Sequence, residues 1–196
     1  MVLRGLAFAK YGSYWRNVRK FCTHELLSAA KIDSFKAMRR EELESLVQSL
    51  KEAAKAHEVV DVSEKVAGLI EDMTYRMLFG RNKDDRFDLK SIVHQALSLV
   101  AAPNLADYVP FLGAFDFQGL TRHFKESYKA FDKILEIIIE EHVQEANNGQ
   151  QRNNHEMDFV DVMLSLMKKS TNTHYGLSSI IDRTSIKAII SDMIIG

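Results

Sequence analysis

Residues 11–20 read Tyr11-Gly12-Ser13-Tyr14-Trp15-Arg16-Asn17-Val18-Arg19-Lys20. The spacing behind Gly12 predicts a helix from about Ser13 to Leu27. On that helix Trp15 and Arg19 stand four residues apart and share a face. An indole N–H and a guanidinium fork aimed the same way suit a carboxylate. The indole donates one bond, and the guanidinium can donate two in a charge-assisted pair. The other reading is a buried indole with Arg19 snorkelling above it. Spacing alone leaves both open.

Charge is uneven around this stretch. Residues 1–20 hold Arg4, Lys10, Arg16, Arg19 and Lys20 and no acid, while the other 21 basic residues face all 27 acidic ones. A basic end on a mildly acidic body suggests a docking face for an anionic partner, or simply a solvated helix end. The whole chain of 196 residues has a formal net charge of −1, which gives no global pull toward nucleic acid or an anionic membrane. Its 46% hydrophobic and 27% charged residues fit one globular domain. No apolar run is long enough to span a bilayer. The single cysteine, Cys22, excludes an internal disulfide and a cysteine-based zinc cage.

Outward from residue 27 nearly every segment follows helical spacing, and only two prolines occur, Pro103 and Pro110. The expected class is all-α, about seven helices without a substantial sheet. A second helix, 34–57, carries an apolar stripe of Leu43, Leu46, Val47, Leu50 and Ala54. A third, 62–79, opens at Asp61 with Glu64 three residues on, and Gly80 supplies its stop. Helices at 88–101, 120–146, 157–169 and 183–196 follow, with an aromatic loop at 102–119 and a polar loop from Asn147 to Asn154. The last segment is still apolar at Ile189, Ile190, Met193 and Ile194 where the sequence stops. That end reads as a bare hydrophobic face, which predicts that the polypeptide continues beyond Gly196.

Self-contained catalytic motifs are missing from these residues. His24-Glu25 opens like a zinc-protease helix, but Ser28 stands where the second histidine belongs. There is no Gly-rich phosphate loop and no Gly-x-Ser-x-Gly elbow.

The Trp15-x-x-x-Arg19 pattern resembles helix C of the cytochrome P-450 family. Phe8 to Lys20, followed by Glu25-Leu26-Leu27-Ser28, is similar to the plant microsomal A-type branch. Tyr75-Arg76-Met77-Leu78-Phe79-Gly80 resembles the end of helix E. Asp107 to Leu112 with Phe117-Gln118-Gly119 resembles the F–G loop, Asp158 to Leu164 the segment around helix H, and Ile186 to Met193 the opening of helix I. The segments occur in the family's order. The resemblance covers the chain but under half of the family's usual length.

The resemblance implies a partial P-450 domain over 1–196: helix C at 13–27, D at 34–57, E at 62–79, F at 88–101, the F–G loop at 102–119, G at 120–146, H at 157–169 and the start of I at 183–196. It implies haem as cofactor, with Trp15 and Arg19 on a propionate. Leu99, Val100, Ala101, Ala102, Pro103, Ile195 and Gly196 would lie near substrate. Arg16 and Lys20 would face the NADPH-cytochrome reductase. The intact enzyme would sit on the cytosolic face of the endoplasmic reticulum membrane and oxidise a small apolar plant metabolite with O2. Catalytic residues are expected beyond the chain end, where the family's acid–Thr pair lies. No Glu-x-x-Arg triplet occurs, and the thiolate cysteine loop is missing. Cys22, on helix C without loop glycines, is expected to be a small core residue and not the metal ligand. The 196 residues alone are therefore expected to retain haem poorly and to be inactive. The alternatives are a short helical interaction module, with the exposed last helix and the basic first helix as its partner surfaces, and a non-functional truncated product.

Overall fold

The computed structural model describes residues 5–7, 9–81, 89–103, 119–148, 157–168 and 181–195. Most of the aromatic and polar loops read from the sequence lies outside these residues. Among the described residues the chain is helical and has no strand. The elements are α1 (Ser13–Phe21), a π-helical turn (Cys22–Leu26), α2 (Ala29–Ser34), α3 (Lys36–Ala56), α4 (Val62–Phe79), α5 (Leu89–Ala101), α6 (Leu120–Asn147), α7 (Phe159–Lys168) and α8 (Arg183–Ile195).

Local chemistry sets several of the helix ends. The Asp61 carboxylate accepts from Ser63 N at 2.9 Å and Glu64 N at 3.1 Å, satisfying two amides that the first turn of α4 leaves open. Gly80 ends α4 in the left-handed region, φ 63°, where a side chain would be strained. His57 takes the same conformation after α3, φ 55°, without glycine's freedom. His57→Gly is expected to raise stability by about 0.5–1 kcal/mol, read as a rise of roughly 1–4 °C in melting temperature.

The first predicted helix is two pieces. α1 keeps ordinary turns to Phe21, then widens so that Leu27 N donates to Cys22 O at 2.8 Å. The wide turn seats Cys22 and Leu26 in the core. α2, which follows, has no counterpart in the sequence reading.

The core is built where α6, α7 and α8 meet the π-turn and the end of α4. Leu135, Ile138 and Ile139 of α6, Phe159, Val160 and Met163 of α7, and Ile186, Ile189 and Ile190 of α8 are buried there. The last helix is therefore not a bare face. Its neighbours α5, α6 and α7 cover it, and the expectation of an exposed terminal helix is corrected. The stripe on α3 departs in the opposite sense. Leu43 and Val47 are exposed and no residue of α3 is fully buried, because among the described residues α3 packs chiefly on α4 and touches α2.

Ion pairs align the helices. Arg183 bonds Glu136 and, at 2.8 Å, Glu140, while Lys187 bonds Asp132 at 2.9 Å and Glu136 at 2.8 Å. Arg76 of α4 holds Glu41 at 2.9 Å and Glu42 at 2.6 Å on α3. Such half-exposed pairs add little energy each but fix orientation.

Candidate functional site: the Trp15–Arg19 face

Trp15 and Arg19 share a face of α1, as their spacing of four predicts. The Arg19 guanidinium lies over the Trp15 ring at 5.0 Å, and Arg16 lies over the Tyr11 ring at 5.7 Å. Tyr11 in turn packs against Trp15 at 5.4 Å. Trp15 is half-buried, whereas Arg16, Arg19 and Lys20 are exposed. Arg16 and Lys20 are also four residues apart, so the exposed cations form one basic surface along α1.

A segment outside the sequence reading completes this face. The Trp15 indole N–H donates to Leu6 O at 3.0 Å. Leu6 N donates to the Asp192 carboxylate of α8, and Ala7 N reaches the same oxygen at 3.3 Å. Gly5 is buried there, and a methyl group on it would collide with that carboxylate. Burial pushes the Asp192 carboxyl above its ordinary value, against the two backbone N–H groups that favour its charge. Tyr14 and Ser185, 3.1 Å apart, make a second tie between α1 and α8. A separation of 186 residues between Leu6 and Asp192 left no periodic signal from which this strap could be read.

The donor types suit a carboxylate, while a guanidinium over a half-buried indole is equally the snorkelling arrangement. The indole N–H already meets an oxygen acceptor at 3.0 Å, and the exposed guanidinium stacked beside it can supply a charged fork. A haem propionate would find the same two kinds of donor on this face. Cys22 does not fit the thiolate. It is buried, and desolvation, with Asp192 adding repulsion, pushes its thiol up to about 12.

The residues expected near substrate are only partly described. Ala101 ends α5, Ala102 and Pro103 follow it, and Ala101 and Pro103 are exposed. Ile195 ends α8; its side chain, those of Leu99 and Val100, and Gly196 lie outside the described residues. A cavity of about 350 Å³ lies elsewhere, between α4, α5 and α8, against Ile70, Leu78, Phe79, Val93 and Ile194.

A separate buried polar cluster lies at the start of α7. His142 Nδ1 is 2.7 Å from Ile138 O, and Nε2 is 3.1 Å from Asp158 Oδ2. A carbonyl only accepts, so Nδ1 carries a proton; donation to the carboxylate from Nε2 then makes the ring an imidazolium. Burial opposes that charge, but the bond and attraction to Asp158 override it and hold His142 above its ordinary value. Lys31 adds a second cation, bonded to Met157 O and placed over the Phe35 ring at 4.8 Å. Asp161 stands close enough to His142 and Asp158 for the three to surround a cation. With both ring protons in place, His142 has no lone pair to offer, and the cluster is an internal ion-pair network. Sequence reading missed it because His142 and Asp158 are 16 residues apart on different elements.

A family model for cytochrome P450 matches residues 3–196. The chain is 58% identical, over 97% of its length, to a Panax ginseng protein named cytochrome P450 CYP736A12. It is 32% identical over 97% of its length to cytochrome P450 750A1 of Pinus taeda, and 30% identical over 98% to the indoleacetaldoxime dehydratase of Arabidopsis thaliana. In each case it spans 37% of the relative's own length.

Proposed function

Given that the chain belongs to the cytochrome P450 family, of the plant A-type, we propose that it forms the propionate-binding and reductase-facing part of a haem-dependent monooxygenase. The intact enzyme acts on a small apolar plant metabolite, with O2 and electrons from an NADPH-dependent reductase at the endoplasmic reticulum membrane. No described helix of this chain is long and apolar enough to cross a membrane. In this reading α1 and the π-turn take the place of helix C, α3 of D, α4 of E, α5 of F, α6 of G, α7 of H and α8 of the start of I. Leu99 to Pro103, with Ile195 and Gly196, stand toward substrate.

The observation that carries the proposal is the stacked Trp15–Arg19 pair on an exposed basic helix. Bound haem supplies the O2 chemistry. The chain's own part is to hold a propionate between indole and guanidinium, and to offer Arg16 and Lys20 to an acidic partner. The Arabidopsis relative is named a dehydratase, so the proposal commits to haem chemistry on an apolar molecule and names no substrate.

The 196-residue polypeptide itself is proposed to retain haem poorly and to lack monooxygenase activity. Its one thiol, Cys22, is buried and held protonated. The purified chain, reconstituted with haem, reduced and exposed to carbon monoxide, should give a spectrum without the thiolate signature. A thiolate spectrum that disappears in Cys22→Ala would overturn this assignment. The interaction-module reading keeps only its basic first helix as a surface, because Ile186, Ile189 and Ile190 of the last helix face the core.

A further inference from the structure

Trp15 and Asp192 meet through one residue, Leu6. The Leu6 carbonyl takes the indole proton, and the Leu6 amide gives its own to the Asp192 carboxylate. An indole has a single N–H, so it serves either this carbonyl or a carboxylate ligand, not both. The strap bearing the carbonyl is held from α8. Asp192 takes both the Leu6 and Ala7 amides, and buried Gly5 passes so close to the carboxylate that no side chain fits between them.

We propose that residues 5–7 act as a latch over the Trp15–Arg19 face, fastened by Asp192 and displaced from the indole when a carboxylate binds. The inference rests on the reading that this face takes a haem propionate, and it assigns Asp192 a positioning role toward that ligand. A charged acceptor makes the stronger bond to the indole, and Arg19 favours it further. What opposes the exchange is the work of lifting the strap off Asp192. Removing that carboxylate therefore favours ligand. It leaves the amides of half-buried Leu6 and exposed Ala7 within reach of water, which limits the cost to the fold.

Trp15 is the only tryptophan, so its fluorescence, quenched by a nearby porphyrin, reports occupancy of this face without any activity measurement. The probes are hemin and hemin dimethyl ester, whose carboxylates are blocked, titrated into the chain of residues 1–196. Wild type is expected to prefer hemin to the ester. Asp192→Ala should tighten hemin about tenfold, the equivalent of one modest hydrogen bond, and leave the ester unchanged. Gly5→Ala, which pushes the strap outward with the carboxylate intact, should act in the same direction. Circular dichroism checks that each variant keeps its helices, and either variant alone suffices. Unchanged or weaker hemin binding in the folded variants, with wild type still preferring hemin, overturns the latch and spares the propionate reading. Equal binding of hemin and ester to wild type overturns the propionate reading and the latch with it.

Discussion

Asp158→Ala is expected to cost the fold about 3–5 kcal/mol, seen as a large fall in the urea midpoint, because it leaves the His142 charge buried without its partner. The substitution also removes the acceptor that Asp161 N uses at 2.8 Å at the start of α7. Replacing both His142 and Asp158 by leucine should be far milder, since no unpaired charge then remains. The same pair sets a pH dependence. His142 is held above its unfolded value of about 6.5, so its contribution is complete below that pH. The contribution fades as pH rises through the higher folded value. Asp158 and Asp161 are the carboxylates that act on the ring, and Lys31 of α2 acts in turn on both of them. Unfolding followed from pH 6 to pH 9 should show stability declining at the alkaline end, and His142→Leu/Asp158→Leu should lose that slope. A flat profile in wild type would mean that the fold holds no extra proton at this pair, and so that His142 is not held above its ordinary value.

Ile189→Ala in α8 should cost about 2–5 kcal/mol, while Leu43→Ala in α3 should cost less than about 0.5 kcal/mol. Ile189 is fully buried where α8 meets its neighbours, and its truncation leaves a hole that the surrounding side chains cannot close. Leu43 is half-exposed on a helix that, among the described residues, packs chiefly on α4. Equal costs at the two positions would mean that α8 is not the centre of the packing. Paired urea curves with unchanged slope would separate the cases.

Both residues stand in helical stripes, and periodicity alone gave them opposite places. It put Leu43 under cover and left the end of the chain bare. A stripe shows which side of a helix is apolar, but whether a neighbour lies there is decided by topology. The contacts that bury Ile186 and Ile189 come from α5, α6 and α7, up to about a hundred residues upstream. Features decided within a turn or two of chain were legible. They include the Asp61 cap, the Gly80 stop and the shared face of Trp15 and Arg19. The strap at Leu6 and the His142–Asp158 pair were not, because each joins residues on separate elements through single polar atoms that leave no period in the sequence. The π-turn at Cys22 was missed because widening one turn needs no glycine or proline to announce it.

The α6–α8 ion pairs work as a vernier. Asp132, Glu136 and Glu140 are graduations four residues apart, and Arg183 and Lys187 are the sliding marks at the same pitch. Each cation straddles two graduations, and Glu136 is shared. Move α8 one helical turn along α6, about 5.4 Å, and one cation runs off the scale, toward Tyr128 at one end or Gln144 at the other. Only the observed setting uses every mark. The scale is written in charges that salt screens, so raising ionic strength blurs the graduations without touching the apolar packing underneath. Salt thus loosens the reading of the scale, while the buried isoleucines of α8 keep the setting itself.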